Sequence, residues 1–204
     1  MIKKLNIRIS TDGIFFFLNF FRELRDILFS NIVSFFIKKQ IKIAFPCKIK
    51  GSKYIEFSDH FSSGSGLWLE AIDDYFGQSL NPQIKLGKGI NISENVHIAA
   101  INFISIGQNV LIGSNVLITD HQHGDTSLSQ MVIIPKFRQL ISRGGVKIGD
   151  SVWLGNGVII LDNVTIGNNC IIGANSVVLR DIPANSIAVG NPAKIIKTLQ
   201  ITKE

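Results

Sequence analysis

Histidine is scarce in this chain, and its clustering is the first sign of chemistry. The 204 residues contain four histidines, and two of them stand together in the segment Asp120-His-Gln-His-Gly124. A neutral imidazole takes up a proton near neutral pH, so histidine suits the role of general base for an alcohol, which is a poor nucleophile while protonated. The pair therefore indicates a site of proton transfer, with His123 and His121 as candidate bases.

The histidine pair lies where a six-residue repeat is interrupted. The repeat runs up to the hexad that begins at Ile118, and its register returns at Ile148. Residues 124–145 form the interruption, and excursions from a repetitive scaffold are where binding and catalytic residues collect. The first residue of each hexad is aliphatic, as in Leu86, Ile92, Ile106, Ile112, Ile118, Ile148, Leu154, Ile160, Ile166 and Ile172. A weaker six-residue spacing continues upstream through Ile49, Ile55, Phe61 and Leu67.

Each hexad has the composition of a short strand followed by a corner. Its fifth residue is Val or another small residue, its second is usually Gly, and its fourth is often Asn or Gly. Gly and Asn tolerate turns and left-handed backbone. Three such strands would close one triangular coil, and stacked coils would bury a continuous ladder of aliphatic side chains. Cys170 takes an inward position in this pattern, which argues against a covalent acyl-cysteine.

Three local motifs add a resemblance to this repeat: Ile118–Gly124, Val146–Gly155 and Val189–Ile196. With these motifs the chain resembles the hexapeptide-repeat acyltransferases, and most closely those that O-acetylate sugars of bacterial surface polysaccharides. The resemblance implies an all-β, left-handed parallel β-helix that forms homotrimers and uses acetyl-CoA as acyl donor. It places the β-helix at residues 41–197, with an N-terminal helical segment at 1–40, the loop at 124–145 and a tail at 198–204.

The same resemblance assigns roles to individual residues. The family's catalytic histidine matches the place of His123, with His121 as the close rival, and Trp153 matches a tryptophan of the active site. The coenzyme would lie between subunits, against backbone of small residues near its pantetheine arm and a lysine near its phosphates. The matching positions are Gly155, Gly173, Ala174 and Lys194.

Three further residues are candidates for contact with the acceptor. Asn102 interrupts the hexads one coil earlier, near the place of an acceptor-binding asparagine in the family. Asp120 could orient an imidazole, although a solvated corner carboxylate is the favoured interpretation because Asp serves turns so often. Arg143, together with Arg138, puts positive charge in the interruption and is compatible with an acidic glycan such as a sialic-acid-type polymer.

Other functions stay open at this point. A sugar N-acetyltransferase is the nearest alternative, and a non-catalytic β-helix scaffold is another. A zinc enzyme like the γ-class carbonic anhydrases would need three converging histidines. His97, His121 and His123 are the available set, but the last two are only two residues apart, and His97 and His60 otherwise read as surface residues. We expect no metal, and no phosphate-binding GxxxxGK[ST] or strand-linked GxGxxG motif is present.

The N-terminal quarter of the chain differs from the rest in composition. Residues 1–50 hold ten Lys and Arg against three Asp and Glu, and nine of the 14 phenylalanines. The remainder is nearly neutral, which disfavours nucleic acid as a partner. The aromatic stretch is too interrupted by charge to span a membrane, and no small-residue cleavage site follows it. We expect a helix that packs on the rest of the protein or across a subunit contact, with peripheral membrane contact through residues 1–42 as the alternative. The two isolated cysteines suit a reducing cytoplasm, and the expected location is cytoplasmic, at or near the inner membrane face.

Overall fold

The computed structural model describes residues 14–199, so part of the predicted helical segment and most of the predicted tail lie outside the described residues. The described chain begins with one long helix, α1 (Ile14–Ile37), and continues as short strands. The strands form three parallel sheets, one for each face of a three-sided coil, which agrees with the predicted parallel β-helix. In the eight-stranded sheet, the last strand of the described chain pairs antiparallel with the strand before it.

Each of the first five coils contributes one strand to each face. Face A contains β1 (Ile41–Ile43), β4 (Phe61–Ser63), β9 (Asn91–Ile92), β12 (Leu111–Ile112), β17 (Trp153–Leu154), β20 (Ile171–Ile172), β22 (Ser186–Val189) and β23 (Lys194–Thr198). Face B contains β2 (Cys47–Lys50), β5 (Leu67–Ala71), β10 (His97–Ala100), β13 (Leu117–Thr119), β18 (Ile159–Ile160) and β21 (Val177–Val178). Face C contains β3 (Ile55–Phe57), β8 (Gln83–Leu86), β11 (Phe103–Ile106), β16 (Val146–Ile148) and β19 (Val164–Ile166).

The register between coils follows the repeat. Where no residues are inserted, strand partners are 18 positions apart, as in Trp153 with Ile171 and Val146 with Val164. That spacing is three hexads, so like positions stack on like positions. The first residues of the hexads point inward, and Ile112, Ile118, Leu154 and Ile160 have no exposed surface.

The corners confirm the interpretation of the fourth hexad position. Its asparagines have left-handed backbone, with φ between 54° and 60° at Asn95, Asn109, Asn115, Asn163, Asn169 and Asn175. Asn adopts this conformation more readily than most residues because its short polar side chain bonds locally. The inward position predicted for Cys170 is also confirmed, because its side chain is fully buried and burial raises the pKa of its thiol.

The three faces differ in what they present outward. On face C the outward column is polar and runs through Glu56, Lys85, Ser105, Lys147 and Thr165. On face A the column above Asn91 is apolar and runs through Leu111, Trp153, Ile171 and Ile187. On face B it runs through Trp68, His97, Leu117, Ile159 and Val177. Two faces of the prism therefore offer apolar surface and the third does not.

Candidate active site

The corner at which face B runs into face C, called here the BC corner, carries the insertions that interrupt the repeat. The longest comprises residues 120–145, with β14 (Gln122–His123) paired antiparallel to β15 (Leu140–Ile141) and a short helix α2 (Leu128–Met131) between them. Two coils below, residues 72–82 form a second insertion with the hairpin β6 (Asp74–Tyr75) and β7 (Gln78–Ser79). Sequence reasoning missed this hairpin, although it falls in a gap of the hexad register between Leu67 and Leu86.

The hairpin holds the long loop in place. The side-chain amide of Gln78 donates to the carbonyl of Leu140 at 2.8 Å and accepts from the Leu140 N–H at 2.9 Å. The rings of Phe76 and Phe137 meet edge to face, with centroids 5.3 Å apart. Leu140 is buried although it lies in the loop. These contacts fix the strand that pairs with His123.

His123 is exposed and is positioned by a tyrosine of the hairpin. The Tyr75 hydroxyl donates its only proton to the carbonyl of Lys136 at 2.7 Å, and its oxygen lies 3.3 Å from His123 Nδ1. Because the phenol proton is committed, the contact requires Nδ1 to carry a hydrogen and to donate it. Nε2 is then the unprotonated nitrogen. Partial burial of the ring lowers the pKa of His123, and the neighbouring His121 and Arg138 lower it further, so the ring is neutral at pH 7.

His121 is bound to a buried carboxylate. Its Nδ1 lies 3.1 Å from Asp120 Oδ1 and 3.2 Å from Thr119 Oγ1. Asp120 is fully buried and accepts hydrogen bonds from the backbone N–H groups of Ile101, Asn102 and Phe103, at 2.7–2.9 Å. The expectation of a solvated corner carboxylate was therefore wrong. Asp120 joins the BC corners of two coils and orients His121, and it has no surface to offer a substrate.

Arg143 and Arg138 are both engaged by the chain itself. The guanidinium of Arg143 forms a two-pronged ion pair with Asp162, which also accepts from the Arg143 N–H. Burial alone would raise the pKa of Asp162, but the bonds and charge of Arg143 lower it. Arg138 donates to the carbonyls of Ile133 and Met131 within the loop. Both guanidinium groups therefore already have partners within the chain. Contact of Arg143 with the acceptor stays a prediction.

Asn102 is exposed at the same corner, one coil below the histidines. It lines a surface cavity with Tyr54, Gln83 and Phe103. Its backbone N–H is held by Asp120, while no hydrogen bond of its side chain to the described residues is recorded. The side chain is therefore presented to solvent, one coil below the histidine pair.

The remaining predicted residues do not join this group within one chain. Trp153 is about half exposed on face A, between Leu111 and Ile171. Gly155 and Ala174 lie next to each other where faces A and B meet, with Gly173 beside them, and Lys194 is exposed on β23. A Cβ on Gly155 would lie 2.7 Å from the Ala174 nitrogen, so close stacking of coils already requires glycine at this position.

His97 corrects another expectation, since it is not a plain surface residue like the exposed His60. Its ring stacks on Trp68 with centroids 3.9 Å apart, and burial lowers the pKa of His97 against the opposing effect of Glu70. Its Nε2 lies 3.7 Å from Glu70 Oε2, whereas Nδ1 of His121 and of His123 face Asp120 and Tyr75. Among residues 14–199 no three His, Cys, Asp or Glu side chains converge to hold a metal.

Comparison with known proteins agrees with the hexapeptide repeat. Residues 145–180 match the family model of the bacterial transferase hexapeptide (six repeats), and residues 103–119 match that of the hexapeptide repeat of succinyl-transferase. The Escherichia coli K12 protein WbbJ, assigned as a lipopolysaccharide biosynthesis O-acetyl transferase, is 39% identical over 181 residues, which are 87% of this chain and 87% of its own length. The galactoside O-acetyltransferase of the same organism is 34% identical over 67% of this chain and 63% of its length.

Solved structures give the same answer. A hexapeptide-repeat acetyltransferase of Vibrio cholerae, crystallised with acetyl coenzyme A, superposes with a TM-score of 0.53 at 30% identity, over 65% of each chain. A maltose O-acetyltransferase of Clostridium difficile superposes with a TM-score of 0.52 at 38% identity, over 57% of this chain and 59% of its own. With the match to WbbJ along most of both chains, these likenesses show that the protein is an acyltransferase and belongs to the hexapeptide-repeat acetyltransferase family.

Proposed function

We propose that the chain transfers the acetyl group of acetyl-CoA to a sugar hydroxyl of a bacterial surface glycan. The observation that carries the proposal is His123, an exposed imidazole whose Nδ1–H is held by Tyr75 and whose Nε2 is free to take a proton. The named O-acetyl transferases among the relatives support a hydroxyl acceptor, and WbbJ favours a lipopolysaccharide glycan over a free sugar. Capsule and sialic-acid-type polymers are the other acceptors to test.

His123 is favoured over His121 as the base because it can be reached. The His121 side chain is only 10% exposed in the isolated chain, and any neighbouring subunit would reduce that further. His123 is exposed, and its lowered pKa keeps it in the neutral form that accepts a proton.

The proposed mechanism is direct transfer within one complex. His123 Nε2 removes the proton of the acceptor hydroxyl while the hydroxyl oxygen bonds to the thioester carbonyl carbon. Backbone N–H groups stabilise the oxyanion that forms. The C–S bond then breaks, the carbonyl is restored in the new ester, and the imidazolium returns its proton to the departing coenzyme A sulfur. No redox partner or metal is required.

The coenzyme site is proposed to form between two copies of the chain. The half-exposed Gly155 and Gly173 and the exposed Ala174 supply bare backbone for a pantetheine arm, and Lys194 supplies charge for phosphates. These residues and Trp153 lie away from the BC corner that carries the histidines. The histidines of one copy therefore meet the coenzyme-binding residues of another only if the BC corner of the first faces the edge between faces A and B of the second. The apolar outward columns of faces A and B support such an assembly, and the family resemblance favours a homotrimer of left-handed β-helices.

The alternative functions require different residues at the site. A sugar N-acetyltransferase would use the same donor, so amino sugars belong among the acceptors tested. A zinc enzyme would need a third histidine near His121 and His123, but His97 stacks on Trp68 and turns toward Glu70. A passive scaffold would not need the tyrosine that holds His123.

The test is coenzyme A thiol release from acetyl-CoA with a panel of lipopolysaccharide O-antigen units, capsular polymers, sialic-acid polymers and amino sugars. His123→Ala should lower acceptor-dependent release about a hundredfold to ten-thousandfold, because general-base catalysis contributes that much. His121→Ala should act more mildly, and His60→Ala, an exposed histidine far from the corner, is the matched control. Full loss in His121→Ala with activity retained in His123→Ala would reverse the assignment. Stoichiometric zinc, or no acetyl-CoA binding, would end the proposal.

A further inference from the structure

The helix α1 is attached to the β-helix by its polar side chains. Asp26, Ser30 and Ser34 recur every four residues and therefore form one stripe along the helix. Ser30 Oγ donates to the Ile43 carbonyl at 3.1 Å and accepts from its N–H at 3.0 Å. Ser34 makes the same pair of contacts with Ile41, at 2.8 and 3.2 Å, and Asp26 accepts from the Phe45 N–H. The polar stripe thus faces the protein, beside Phe29, Val33 and Ile37, which pack against the core of the β-helix.

The opposite side of the helix exposes large apolar side chains. Phe36 is 76% exposed, Phe35 is 78% exposed, and Leu28 and Ile32 are each more than half exposed. In a surface helix of a globular protein the side turned away from the core is normally polar and charged. Twenty-four residues give a helix about 36 Å long, so this apolar side is an extended strip rather than a local patch.

The strip is suited to lie along a lipid surface rather than to cross it. No helix in the described part of the chain is long and apolar enough to span a membrane, and Arg22, Glu23 and Arg25 interrupt α1 itself. An interfacial helix buries an aromatic and aliphatic side among the upper acyl chains while charged residues stay at the headgroups.

The basic residues next to α1 indicate which lipids it would bind. The basic residues Lys38, Lys39 and Lys42 follow the helix and are exposed. Residues 1–50 as a whole carry ten Lys and Arg against three Asp and Glu. Clusters of this sign bind the negatively charged lipids of a membrane surface.

A second copy of the chain is a weaker match for the strip. Near α1 the outward column of face A is polar, with Lys42, Ser62 and Asn91, and its apolar part begins only at Leu111. The strip is therefore not a continuation of the apolar columns assigned above to contact between copies. From the exposed apolar strip of α1 and the basic residues beside it, we propose that this helix docks the protein in the plane of an anionic membrane surface.

The test is co-sedimentation of the full chain with vesicles of phosphatidylcholine alone or mixed with phosphatidylglycerol. We expect binding to the mixed vesicles that weakens with salt. Leu28→Ser/Ile32→Ser/Phe35→Ser/Phe36→Ser should lower the partition coefficient at least about tenfold, and Lys38→Glu/Lys39→Glu should lower it severalfold. The control Leu128→Ser/Val132→Ser removes equally exposed apolar groups from the long loop and should leave binding unchanged.

Two results would overturn the docking proposal. One is equal or absent binding to both kinds of vesicle by the wild type. The other is a change of native mass in the four-serine variant, which would make the strip a contact between copies. Vesicle binding is measured without acetyl-CoA or acceptor, so its failure is separate from failure of the acetyl-transfer proposal. Unchanged circular dichroism in the variants excludes misfolding as the cause.

Discussion

The contact between Tyr75 and His123 joins two insertions that are 48 residues apart in the chain. Its chemical value lies in the choice of ring nitrogen. A histidine that is free in solution exchanges its proton between Nδ1 and Nε2, whereas one that donates from Nδ1 presents Nε2 as the base. Tyr75 is therefore a positioning residue, which acts on the reaction through His123.

Replacement of Tyr75 by Phe should lower kcat about tenfold with little change in KM, because the ring of His123 loses the acceptor that orients it. Nitrogen chemical shifts of His123 should reveal a mixed tautomer. In a His123→Ala background the same replacement should have no further effect. Tyr54→Phe removes a hydroxyl that bonds Asp73 instead and is the matched control.

The pH dependence of kcat/KM on the acid side tests the role of His123 independently. The pKa of His123 is lowered, chiefly by burial, so the active neutral form persists below the ordinary value of about 6.5 and is lost as the pH falls through the folded pKa. An acid limb at or above 6.5 for kcat/KM, with unchanged protein stability, would contradict the assignment of His123 as the base.

At the scale of elements, the serines of α1 hydrogen-bond the backbone groups along one edge of β1. A neighbouring strand supplies such bonds elsewhere in the sheet. Ser30 is 8% exposed, and its hydroxyl satisfies both the N–H and the carbonyl of Ile43. Buried backbone groups that lose their partners cost about 1–3 kcal/mol each.

Ser30→Ala should therefore reduce the free energy of unfolding by about 2–6 kcal/mol, because the N–H and the carbonyl of Ile43 both lose their partner. Urea titration at fixed protein concentration is the measurement. Asn31→Ala changes the adjacent, exposed residue of the same helix and should be near neutral. If both variants unfolded at the same urea concentration, the edge contacts would contribute nothing to stability.

The elements differ in how far sequence could predict them. The inward Ile and Val positions and the left-handed Asn corners follow from the hexad, because each depends on residues in its own unit. The burial of Asp120 does not, since its partners at Ile101–Phe103 belong to another coil and are backbone groups without a sequence signature. The side of α1 that faces the protein could not be predicted either, because a stripe of two serines and an aspartate usually marks a solvated face.

At the scale of the whole molecule, the unequal faces predict how copies associate. Leu111→Lys puts charge into the apolar column of face A and should shift the native mass from that of the proposed trimer toward that of the monomer. Thr165→Lys makes a similar change in the polar column of face C and should not. Native mass spectrometry distinguishes these outcomes. A wild-type monomer would contradict the assembly and, with it, a coenzyme site shared between copies.

The two ends of face A are both closed, and this has a consequence for solubility. At one end α1 satisfies the backbone of β1, and at the other the antiparallel β23 covers β22. A parallel coil with an open end displays a row of unpaired N–H and carbonyl groups that another molecule can extend. Stacked hexads make that end an almost perfect template for the next coil. We therefore expect that removal of α1 or β23 would expose a strand edge at one end of face A and favour end-to-end association of the solenoid.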